Sequence, residues 1–63
     1  MDDATRRALT ALAVELDERA EQARKGISLN GTQQPESALP FMRGIALGMV
    51  EASIRIWHLL HQH

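Results

Sequence analysis

ALPFMRGIALGMVEASIRIWHLLHQH, residues 38–63, is the stretch whose reading decides the fold. On a helical wheel at about 100° per residue one apolar stripe runs through Met42, Ile45, Met49, Ala52, Ile56 and Leu59, and a second through Leu47, Val50, Ile54 and Trp57. The band left for water is Gly44, Gly48, Glu51, Arg55, His58 and Gln62, and its glycines carry no polar side chain. The pattern predicts a helix over 38–62 with more apolar surface than one neighbouring helix covers. Ser37 is placed to cap it, and Pro40 falls in the first turn, where a missing N–H costs little.

The segment before it, GISLNGTQQPES over 26–37, reads as the connecting loop, because Asn30-Gly31, the paired glutamines and Pro35 all oppose regular structure. A brief extended piece at Ile27, Ser28 and Leu29, with its two apolar side chains packed under the helix ends, is the alternative to an ordinary loop. Either way the connection is longer than the roughly 2 to 8 residues common between bundle helices.

A first helix is expected over 3–25. Asp2 or Asp3 caps its start, Arg24 and Lys25 suit the negative end of its dipole, and Gly26 offers a left-handed stop. Its apolar stripe, Leu9, Leu12, Leu16, Ala20 and Ala23, is narrow and tapers toward alanine, with Ile27 just past the end. The opposite face pairs with itself, Glu15 with Arg19 and Glu21 with Lys25, and reads as solvated.

Two helices of matched length predict an all-α antiparallel hairpin, residues 1–63 forming one domain. Ala20 and Ala23 then face Phe41, Met42 and Ile45, while Leu9 and Leu12 meet Ile56, Trp57 and Leu60. The expected hairpin core is Leu9, Leu12, Leu16, Ala20, Ile45, Met49, Ile56 and Leu59. The surplus surface, Met42, Arg43, Gly44, Leu47, Gly48, Val50, Ile54 and Trp57, is assigned to self-association or a partner. A two-fold dimer forming a four-helix bundle is the simplest closure.

Composition points the same way. A 63-residue chain buries a small core, and the absence of cysteine removes disulfides and thiolate metal sites, which leaves oligomerisation as the common route to added stability. Seven basic and eight acidic side chains give a net charge of −1 with no footprint for a phosphate backbone. Arg43, Glu51, Arg55 and His58 oppose insertion of the second helix into a bilayer. The start, MDDATRR, lacks the apolar core of a signal peptide, so a cytoplasmic location is expected.

Chemistry is sparse. Glu51, Ser53, Arg55 and His58 are the polar group of the second helix, Glu51 and Arg55 are spaced to pair with each other, and Ser53 falls between the two apolar stripes. No nucleophile sits beside a base with a third orienting group, so neither an enzyme nor a cofactor is expected. His58, His61 and His63 are the available imidazoles, at one helix end and without a convergent third ligand. Gly44 and Gly48, extended by Ala52, make a small-residue ridge on which a second backbone could approach closely. Arg43 stands in an apolar stripe, which suggests an acid across an interface.

Phe41, Gly44, Ala46, Gly48 and Ala52, after a charged alanine-rich first helix and a polar loop, resemble the small helix-loop-helix proteins of actinobacteria and their phages. The resemblance covers the second helix and transfers no functional residue. The expected function is a non-catalytic protein–protein interaction module that self-associates and docks on a larger protein, inhibiting or recruiting it. The alternatives are a dimeric DNA-associated transcription regulator and a metal-binding helper using the C-terminal histidines.

Overall fold

The computed structural model describes residues 1–62. It is a helical hairpin of α1 (Asp3–Arg24) and α2 (Leu39–Leu60), with a single 3₁₀ turn at Glu36–Ala38 leading into α2. The helices run antiparallel, as the Arg6 guanidinium near the start of α1 donates to the carbonyl of Leu60 at the end of α2 at 2.7 Å.

Each end of α1 follows from its sequence. Asp2 is extended, and its carboxylate accepts the Thr5 backbone N–H at 2.9 Å, satisfying one of the amides that a helix start leaves unpaired. Hydrogen bonding from Thr5 holds the Asp2 carboxyl below its ordinary pKa. At the other end Gly26 takes φ 81°. Its N–H reaches the carbonyl of Ala23 and that of Ile27 reaches Gln22, both at 3.0 Å, the paired bonds of a Schellman motif. The positive φ is what favours glycine here; a Cβ would also push aside the side-chain tips of Gln33, 2.7 Å away, and Leu39, 2.8 Å away.

The connection is more ordered than its composition suggests. Ile27 and Gln33 form an isolated antiparallel bridge. Around it the Gln34 N–H donates to Gly26 O at 2.7 Å, Ser28 N–H to Thr32 O at 2.9 Å, and Gly31 N–H, with φ 84° at Gly31, to Ser28 O at 2.9 Å. The Gln33 amide donates to the carbonyl of Lys25 at 3.0 Å, which fastens the loop to the end of α1. The extra length is therefore used to satisfy the loop's own backbone. Leu29 stays exposed and does not pack under the helix ends.

α2 begins one residue later than expected and without the expected cap. Ser37 lies inside the 3₁₀ turn, Ala38 is the residue flanking the helix, and no side chain bonds to the free amides there. Pro40 in the first turn removes one of those donors.

The seam between the helices is where the structure departs most from the periodicity reading. On α1 it follows Leu9, Ala13, Leu16, Ala20 and Ala23, and on α2 Met42, Ala46, Met49, Ser53, Ile56 and Leu60, all buried or half-buried. The steps alternate three and four, as in an antiparallel coiled coil. Relative to the expected core, α2 is rotated by less than one residue: Met49 and Ile56 keep their places, Met42, Ala46, Ser53 and Leu60 join them against α1, and Ile45 and Leu59 turn out of the seam. The reason is steric and polar together: alanine and serine let two backbones come close, and the Ser53 hydroxyl finds an acceptor on α1. The buried apolar cluster is Ala20, Ala23 and Ala46, with Met49 and Val50 packed against it.

Several assignments change as a result. Leu12, Ile45 and Leu59, expected in the hairpin core, are 44%, 40% and 50% exposed. Met42, expected on the outer surface, is buried in the seam. Val50 and Trp57, also expected outside, are half-buried. Phe41 does not oppose Ala20 and Ala23 and stands 73% exposed.

Candidate interaction surface

An antiparallel pair has two flanks beside its seam, and heptad geometry places the positions next to the seam on α1 and α2 together on each. The first flank carries Thr10, Asp17 and Arg24 from α1 and Arg43, Val50 and Trp57 from α2. Its centre is Asp17, whose carboxylate accepts the Ser53 hydroxyl at 2.5 Å and the Trp57 indole N–H at 3.3 Å. Ser53 is 1% exposed, so this bond satisfies a hydroxyl that has lost water. Farther out, Val14, Leu47 and Ile54 are exposed among Arg7, Glu21, Arg24 and Arg43. Hydrogen bonding and charge from Arg24, with Lys25 at 3.9 Å adding to it, hold the Glu21 carboxyl below its ordinary pKa.

The opposite flank carries the larger side chains of the seam itself. Leu9, Leu16, Met49 and Ile56 touch the seam yet remain half-buried, and Leu12, Phe41, Ile45 and Leu59 lie exposed beside them. At the loop end this flank deepens into an open groove of about 730 Å³ whose apolar lining includes Ile27, Leu29, Phe41, Met42, Ile45 and Met49. Its charges are few: Glu15 and Arg19, which pair at 3.0 Å, and Arg55.

The remaining candidate residues do not converge. Gly44 and Gly48 are exposed, and a Cβ on either would meet nothing within 4 Å, so the G-x-x-x-G ridge is not what brings α1 and α2 together. Ala13, Ala20, Ala46 and Ser53 do that. Arg43 is exposed, and among the described residues ion pairs within 4.0 Å join only Glu15 to Arg19 and Glu21 to Arg24 and Lys25; neither Arg43 nor the Glu51 and Arg55 pair is among them. The His61 Nδ1 lies 2.7 Å from the carbonyl of Trp57 in its own turn, and His58 is exposed. No group of three potential metal ligands occurs among the described residues, and His63 lies outside them. No helix among the described residues is long and apolar enough to cross a membrane.

Ala13, Ala46 and Asp17 are the residues that the periodicity reading passed over. The seven-residue spacing of Ala13 with Ala20, and of Ala46 with Ser53, was the available signal for the first two. Asp17 had none, because an acid on a charged helix face looks like every other solvated acid.

No family model, curated protein or solved structure matches the chain.

Proposed function

We propose that this chain is a non-catalytic protein–protein interaction module whose hairpins self-associate into a two-layer helical assembly and which docks on a larger protein to inhibit or recruit it. The observation that carries the reading is the poverty of the hairpin's own core. Its buried apolar residues are Ala13, Ala20, Ala23, Met42, Ala46 and Leu60, and the largest side chain buried below 2% exposure is that of Ser53. Four alanines, a methionine and a leucine remove little apolar area from water, while nine large apolar side chains, five of them on α2, remain exposed. Domains bury their apolar faces between at least two packed layers, and this hairpin, 43 by 18 by 10 Å, is one layer. A second layer supplied by another copy is the closure that needs no foreign protein, and exposed surface left over then serves a partner.

Sedimentation equilibrium over a wide concentration range, with thermal unfolding measured in parallel, tests the self-associating part. The expected result is a species of two chains or more and a melting temperature that rises with protein concentration, since association stabilises the folded state by mass action. A monomer at millimolar concentration with a constant melting temperature overturns it.

A further inference from the structure

The loop between the helices holds the chain's single asparagine, Asn30, and the residue after it is Gly31. An asparagine followed by glycine is chemically unstable, because the next backbone nitrogen can close a five-membered ring on the side-chain amide and no Cβ stands in its way. We propose that Asn30-Gly31 is a site of spontaneous deamidation that the folded turn holds in check and that opening of the loop releases.

In that reaction the Gly31 nitrogen gives up its proton and attacks Asn30 Cγ. A C–N bond forms, and the side-chain nitrogen leaves with that proton as ammonia. Water then opens the succinimide at one of its two carbonyls, leaving aspartate or isoaspartate at position 30. One water is consumed and one ammonia released, so neither an oxidant nor a second protein is needed.

Both reacting groups are occupied in the folded loop. A peptide nitrogen shares its lone pair with the carbonyl and becomes a good nucleophile only after losing its proton. The Gly31 N–H donates that proton to Ser28 O at 2.9 Å. On the other side Asn30 Oδ1 accepts the Thr32 N–H at 3.2 Å and the Ser28 hydroxyl, which also stands 3.2 Å from the Thr32 carbonyl. Attack needs the reacting atoms about 3 to 3.5 Å apart and aligned, and a carboxamide held by Ser28 and Thr32 is not free to turn for it.

The backbone adds a third restraint. Gly31, at φ 84°, completes a three-residue loop of Leu29, Asn30 and Gly31 closed by the Ser28 N–H on Thr32 O at 2.9 Å and by the Ile27–Gln33 bridge. These bonds fix the torsions between Asn30 and Gly31 on which ring closure depends. Asn30, Gly31 and Thr32 are nevertheless exposed, so water reaches the site, and exposed loop bonds open at low free energy. The products differ in consequence. Aspartate keeps an oxygen for the Thr32 N–H and adds a negative charge, whereas isoaspartate lengthens the main chain by a methylene and shifts Gly31 and Thr32 out of register with Ser28.

The test follows the intact chain at one pH and temperature, native and in denaturing urea, with helicity read by circular dichroism. Mass spectrometry of the peptide containing Asn30 records the exchange of NH₂ for OH, and fragmentation separates isoaspartate from aspartate. The native chain is expected to react at least about tenfold more slowly than the unfolded one, since only the open loop reacts. Ser28→Ala, which frees Asn30 Oδ1 from the hydroxyl, is expected to speed the native reaction about threefold or more while keeping the helical spectrum. Equal rates in the native and unfolded chain overturn the control by the turn, and an unfolded chain that keeps Asn30 intact overturns the site itself. An unchanged native rate in a folded Ser28→Ala overturns the part given to the side-chain bonds. Should that variant lose its helicity, the two wild-type rates decide.

Discussion

The two flanks of the hairpin are built from the same helices and differ in which seam position holds the large side chain. On the Asp17 flank small residues, Ala13, Ala20, Ala46 and Ser53, let the backbones close, and a carboxylate locks the contact by holding Ser53 and Trp57. On the other flank Leu9, Leu16, Met49 and Ile56 are only half-buried and leave an apolar face. The lesson is that bulk and burial are only loosely coupled here: apart from Met42 and Leu60, the side chains that the hairpin buries fully are alanines and one serine. A close-packed seam of small side chains is sensitive to added volume, and an open flank is not.

That difference is broken most directly by enlarging the closed side. Ala46→Leu, at a position 1% exposed, is expected to destabilise the hairpin by about 1 to 3 kcal/mol, whereas Ile45→Leu one residue away on the open side stays close to neutral. Thermal melts at fixed concentration read the contrast, at about 4 to 8 °C per kcal/mol for a domain of this size. Equal melting temperatures for the two variants would mean that the seam does not run where Ala46 places it.

A comparable or smaller effect is expected from Asp17→Ala, which leaves the buried Ser53 hydroxyl without its acceptor and costs about 1 to 3 kcal/mol. Adding Ser53→Ala removes the orphaned group, so the double variant is expected to lose less than the sum of the single losses. Strict additivity in chemical denaturation would show that the two side chains act independently.

The smallest effect has the opposite sign. Gly44 lies on α2 opposite the seam, and a methyl group added there would meet nothing within 4 Å, so Gly44→Ala is expected to stabilise the helix by about 0.5 to 1 kcal/mol. The gain should be the same at every protein concentration. A loss, or a gain that appears only in the assembled state, would assign Gly44 to a contact that the present division of faces leaves out.

Much of the architecture was legible in the chain. Asp2 before a run of good helix formers, Gly26 after Arg24 and Lys25, and Pro40 early in a long apolar segment mark the helix ends by local chemistry alone. Matched helix lengths and the intervening loop gave the antiparallel hairpin. The cap at Ser37 was misread because a serine before an apolar run signals a helix start in general, and here a 3₁₀ turn intervenes and carries the serine past the capping position. The loop's bridge between Ile27 and Gln33 was not legible, since its bonds are backbone bonds that composition does not encode.

The sequence by itself determined two helices, the ends of the first to within a residue, their antiparallel pairing and a surplus of apolar surface on the second, because caps, breakers and periodicity act over a few residues. Only the tertiary structure decided the rotation of α2 about its axis. That choice depends on how closely two backbones approach and on whether a buried hydroxyl meets an acceptor 36 residues away, as Ser53 meets Asp17. Neither quantity is a property of one helix. A rotation of less than one residue kept Met49 and Ile56 at the seam, brought Ala46 and Ser53 into it and turned Ile45 and Leu59 out.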